Sequence, residues 1–139
     1  MTRKTPFLRR FAARLTGLFL ALVARFITAV RADWRGIEPV DKQRVYFANH
    51  VSNADMPMIW TVLPGHMRQK TRPVAAADYW LKNRLRAFVG PEVFNCVLVD
   101  RRPEARTDDP MAAIRQALDE GSSLILFPEG NRNMTDAPL

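Results

Sequence analysis

Four short apolar runs, residues 45–48 (VYFA), 73–77 (PVAAA), 97–99 (VLV) and 124–127 (LILF), recur along the chain with helical patterns between them. Strands that alternate with helices imply right-handed crossovers and a mostly parallel sheet, so the fold class read from this pattern is α/β with flanking helices. The intervening helices carry their own boundary signals. Residues 55–63 are closed by Pro64-Gly65, and residues 79–88 run to Gly90-Pro91. The last helix is the best marked, with Asp109 as N-cap, Pro110 at its first position and Gly121 just past its end. In a parallel sheet, function collects beyond the carboxyl ends of the strands, and those are the places to look for chemistry.

A chain of 139 residues, 47% hydrophobic, has enough material for one compact domain and too little for two. The single cysteine, Cys96, excludes an intrachain disulfide framework and a cysteine-built zinc site; in its apolar strand setting it reads as a core residue. A formal charge of +7 raises nucleic acid as a partner, but the charge is not spread evenly. Residues 1–35 hold eight Lys and Arg against one acid, Asp33, whereas residues 36–139 hold thirteen of each sign. The basic character therefore belongs to an N-terminal appendage, residues 1–35, and the domain of residues 36–139 is neutral. Nucleic acid is not expected as a partner.

Within that appendage, residues 15–30 (LTGLFLALVARFITAV) look at first like a membrane span, yet the longest uncharged stretch is only ten residues, 15–24, where about 20 are needed. At 100° per residue, Arg10, Arg14, Gly17, Ala21, Arg25, Thr28, Ala32 and Arg35 form one stripe, and large apolar residues cover the remainder. This is a basic amphipathic helix of the kind that lies among lipid headgroups, with Trp34 beyond it at interfacial depth. Two other readings compete. A secretory signal is interrupted by Arg25, and a helix of this pattern can also simply pack on the domain's own core.

Just after the first strand comes Asn49-His50-Val51-Ser52-Asn53-Ala54-Asp55. On a continuous helix a five-residue separation turns two side chains about 500° apart, so His50 and Asp55 meet only if His50 precedes the helix. An imidazole held there by a carboxylate is fixed in tautomer and becomes a better proton acceptor at its other nitrogen. Asp55 alternatively caps the helix, alone or in a Ser52-x-x-Asp55 capping box, and capping is compatible with catalysis. The fourth strand runs into Phe127-Pro128-Glu129-Gly130-Asn131-Arg132, where Gly130 permits close backbone approach and Arg132 a bidentate grip on phosphate; an ordinary turn with a solvated ion pair is the plainer account. The third strand ends in Asp100-Arg101-Arg102. His66, beside Pro64-Gly65, reads as a loop residue.

Taken together, Asn49, His50-x4-Asp55, Val99-Asp100-Arg101 and Phe127-Pro128-Glu129-Gly130 resemble, in order and spacing, the first three blocks of the glycerolipid acyltransferase family, over residues 45–132. The branch most similar is the 1-acyl-glycerol-3-phosphate acyltransferases. The resemblance implies a glycerol-3-phosphate acyltransferase-like fold and transfer of a fatty acyl group from acyl-CoA or acyl carrier protein to the free hydroxyl of a lysophospholipid, giving phosphatidic acid. It implies His50 as general base, Asp55 as its orienting partner, and Arg101, Glu129, Gly130 and Arg132 as contacts to the acceptor's glycerol phosphate. It further implies N-terminal docking on membrane lipids, with the enzyme peripheral or monotopic on the cytoplasmic face of the cell membrane. No metal or other cofactor is called for, because an alcohol needs a base and a thioester already carries a good leaving group.

The third block departs from the family pattern, with Asn131 and Asn133 where threonine and serine are usual. The resemblance implies a fourth block that would fall beyond Leu139, so the sequence reads as a partial acyltransferase domain whose sheet is expected to present an unpaired edge or an uncovered face. Alternatives from the same residues are an acyltransferase acting on another lysolipid, such as an ornithine-containing one, and an inactive relative that only binds membranes.

Overall fold

The computed structural model describes residues 6–100, 109 and 111–130. A long helix α1 (Phe7–Thr28) precedes a sheet of four strands, β1 (Val45–Phe47), β2 (Thr71–Ala76), β3 (Val97–Val99) and β4 (Ser123–Leu126). All pairings are parallel, in the order β1-β4-β2-β3. Helices α2 (Asp55–Val62) and α3 (Gly65–Arg68) link β1 to β2, and α4 (Ala77–Trp80), α5 (Arg84–Phe88) and a π-helical turn (Val89–Val93) link β2 to β3. Helix α6 (Ala112–Asp119) leads into β4, which inserts between β1 and β2. The α/β class and the parallel sheet agree with the expectation.

Strand β2 is central and yet contains Pro73, which cannot donate to a ladder. It pairs with β4 along residues 71–73 and with β3 along residues 74–76, so the proline sits where the pairing passes from one neighbour to the other. Alternate residues face opposite layers. Ile125 packs with Ala21, Met56, Trp60, Leu63, Met67, Phe94 and Cys96 on one side; Leu124 and Val97 pack with Ile114 and Ala117 of α6 on the other. Cys96 is a buried core thiol, and burial pushes its pKa up to about 12, far from nucleophile range.

The boundary of α6 follows the sequence signal at its carboxyl end but not at its amino end, where the helix starts at Ala112 with Met111 rather than Asp109 as N-cap, and Pro110 lies outside the described residues. Asp109 Oδ1 accepts the Met111 N–H at 3.0 Å, a contact in the turn before the helix. At the other end Gly121 takes φ +80°, and the Ser122 and Gly121 amides return to the Ala117 and Leu118 carbonyls, closing a Schellman motif. The single helix expected over residues 79–88 is instead two. Helix α4 already starts at Ala77, and Asn83 opens α5 by accepting the Arg86 N–H at 2.9 Å, an N-cap signal that the apolar pattern overrode. His66 is also corrected: it lies exposed in the one-turn helix α3 rather than in a loop.

Helix α1 turns mainly its small residues toward the body, with Leu20 the large one packed beside them. Ala13, Gly17 and Ala21 are buried, and a Cβ at Gly17 would lie 3.3 Å from both Trp60 and Val93, a tight contact that would require those side chains to give by a few tenths of an ångström. Arg25 reaches across to donate to the Thr61 carbonyl at 3.0 Å. The helix ends at Thr28, with Ala29 in the left-handed region, so Ala32 and Arg35 do not continue the stripe. The opposite face, with Phe7, Leu8, Phe11, Leu15, Leu18, Phe19, Leu22, Phe26 and Ile27, is exposed. At 22 residues, α1 is long and apolar enough to cross a membrane by length and composition, more than the ten-residue uncharged run credits.

Candidate active site

Because the strands are parallel, their carboxyl ends gather on one side, around a cavity of about 460 Å³, within the usual range for a small-molecule site. His50, Ala76, Val99 and Phe127 line it from the ends of the four strands, with Met56, Tyr79, Trp80 and Ile114 supplied by helices. The wall is mostly apolar, which suits a hydrocarbon chain better than a sugar or a nucleotide base.

The chain leaves β1 at Phe47 and does not enter α2 until Asp55, so His50 stands in the intervening turn, as the five-residue spacing requires. Its Nδ1 lies 3.1 Å from Asp55 Oδ2. The same oxygen accepts the backbone N–H groups of Val51 and Ser52 at 2.8 and 2.7 Å. The Ser52 contact lies in the turn before α2, whose N-cap is Ala54 with no side-chain cap, so Asp55 at the first helical position ties that turn and holds the imidazole at once rather than completing a capping box. Pro57 falls in the first turn of α2, where no intrahelical donor is lost. Burial of Asp55 raises its pKa, but the Ser52 amide, the imidazole and the Val51 amide outweigh that, and the carboxyl is held below its ordinary value. An ionised Asp55 accepts from Nδ1–H, which leaves Nε2 as the lone-pair nitrogen; it has no partner among the described residues.

Glu129 approaches from the end of β4. Its Oε1 accepts the His50 backbone N–H at 3.2 Å, and its buried Oε2 has no partner among the described residues. Gly130 lines the cavity at φ +66°, a left-handed conformation that favours glycine, although a Cβ there would meet only open space. Arg101 and Arg132 lie outside the described residues, next to Asp100 and two past Gly130 in sequence. The structure thus brings together His50, Asp55, Glu129 and Gly130.

Three site features were missed in the sequence. Phe127 stacks its ring 4.5 Å from the His50 imidazole, tilted by 33°. Tyr79 and Trp80 line the cavity from just past β2. The carboxyl-end rule applied to AAADYW would have found the last two, and the Phe127 contact needed only the inference that β4 lies beside β1.

An α/β sheet that sets a carboxylate-held histidine beside an apolar cavity at its carboxyl edge offers an imidazole nitrogen chemically able to accept a proton there. A family model for acyltransferases matches residues 31–138, and the chain belongs to that family. No curated protein and no solved structure resembles it closely enough to count as a match.

Proposed function

We propose that this chain moves a fatty acyl group from a thioester, on coenzyme A or acyl carrier protein, to the free hydroxyl of 1-acyl-glycerol 3-phosphate, giving phosphatidic acid. His50 Nε2 takes the hydroxyl proton as the oxygen attacks the thioester carbonyl; the carbon–sulfur bond breaks, and the proton leaves with the thiolate. Asp55 fixes the tautomer and stabilises the imidazolium that forms. Glu129 positions the His50 backbone, Gly130 admits the substrate against the main chain, and Arg101 and Arg132 hold the acceptor phosphate. The exposed apolar face of α1 seats the enzyme on the cytoplasmic leaflet beside its lipid acceptor.

The single observation that carries this reading is the His50–Asp55 contact, made at the edge of an apolar cavity in a chain of the acyltransferase family. The test is His50→Ala, assayed with acyl-CoA and lysophosphatidic acid. Loss of a general base is expected to lower transfer by roughly a hundred- to ten-thousandfold with the fold retained. Near-normal transfer by this variant overturns the mechanism, and wild-type preference for a lyso-ornithine lipid over lysophosphatidic acid overturns the acceptor.

A further inference from the structure

A second cavity, of about 600 Å³, lies between α1 and the body, lined by residues that include Arg10, Arg14, Arg68, Trp60 and Phe94 but not by His50. Its charge is unbalanced. Glu92, the carboxylate among the lining residues, is already tied to Arg9 through two contacts. Neither Arg10, Arg14, Arg25 nor Arg68 forms an ion pair among the described residues.

Arg68 shows the strain most clearly. Its guanidinium lies 4.8 Å from the Trp60 ring and donates from Nη2 to the Thr61 and Leu63 carbonyls, while its buried Nε has no partner among the described residues. Arg25 donates to the same Thr61 carbonyl, so two guanidinium groups converge on one neutral oxygen. Burial, and then the charge of Arg25, lower the Arg68 pKa. Among the described residues no anion is paired with this cluster.

Arg10 and Arg14 are one helical turn apart on the flank of α1, spaced to share one phosphate. The groove they border also includes Leu18, which belongs to the exposed apolar face of the same helix. If that face sinks about 5–10 Å below the headgroups, the flank of a helix about 10–12 Å across comes level with lipid phosphates. The groove therefore joins a cationic wall at phosphate depth to an apolar wall at acyl depth.

We infer that the groove between α1 and the body binds the phosphate of an anionic phospholipid through Arg10, Arg14 and Arg68, separately from the His50 cavity. This rests on the membrane association proposed above, and binding to zwitterionic vesicles tests that association by itself, so the two ideas fail separately. Co-sedimentation of the full chain with phosphatidylcholine vesicles, with and without phosphatidylglycerol, gives the anionic-over-zwitterionic binding ratio. Replacing Arg10 and Arg14 with Gln is expected to lower that ratio about fivefold per arginine. Both residues are exposed, and thermal denaturation verifies that the fold is kept. The control pair Lys42→Gln with Arg84→Gln removes the same charge from exposed positions outside the groove and should leave the ratio nearly unchanged. Equal loss in the control pair overturns the site in favour of diffuse attraction. Displacement from vesicles by inorganic phosphate at matched concentration overturns the lipid assignment in favour of a soluble phosphate.

Discussion

Asp55 Oδ2 accepts from the His50 ring and from two successive backbone amides, so one ionised oxygen organises the turn. Its depressed pKa gives the arrangement a pH signature. Stability contributed by the ionised carboxylate is fully present above the unfolded value of 3.8 and is lost as pH falls through the lower folded value. Asp55→Asn is therefore expected to destabilise the fold by about 2 kcal/mol at neutral pH, the scale of hydrogen bonds to a charged group. Urea denaturation of both proteins at steps below pH 4 should show that difference shrinking; a gap that stays constant there means the charge is not what ties the turn. The His50–Asp55 meeting was legible in the sequence because it depends only on where β1 stops and α2 starts. The Glu129 contact to the His50 amide was not, because it spans 79 residues and depends on β4 lying beside β1. An apolar run reveals that a strand exists but carries no mark of its neighbour.

The elements divide by the same logic. Helix α6 was readable at its carboxyl end because the Gly121 stop acts through backbone geometry that a few local residues dictate, whereas its start at Ala112 falls later than the Asp109 signal implied. The break between α4 and α5 was not readable, because periodicity through YWLKNRLRAF outweighed the Asn83 cap, and the contact between the Trp80 and Phe94 rings beside it forms only in three dimensions. Helix α1 inverts a simple amphipathic reading. Its basic and small residues form one stripe as expected, but the small ones serve as the packing seam, and the arginines flank it where they reach body carbonyls and the groove. Gly17 tests that seam. Gly17→Leu places a branched side chain against Trp60 and Val93 and is expected to cost about 1–3 kcal/mol by overpacking. Chemical denaturation followed by tryptophan fluorescence measures the loss, and an unchanged midpoint means α1 does not dock through this face.

At the scale of the whole molecule, a neutral body carries a helix that is cationic on its inner flanks and apolar outside, and the match to the acyltransferase family begins at residue 31, beyond that helix. The separation gives the two parts different dependences on solvent. Attraction that came only from the +7 charge would fall steeply with salt and would extend to nucleic acid, whereas burial of an apolar face is nearly salt-independent. Phe19 and Phe26, 63% and 91% exposed, are the largest outward side chains on the middle and last turns of α1. Each is worth roughly 1.5–3 kcal/mol when fully buried. Phe19→Glu with Phe26→Glu is thus expected to weaken binding to uncharged vesicles by about a hundredfold or more, with circular dichroism unchanged because neither side chain packs on the body. Binding of the wild type that vanishes in high salt, or a double variant that sediments as before, would mean that charge rather than the apolar face holds this chain to lipid, and α1 would then be a packing element alone.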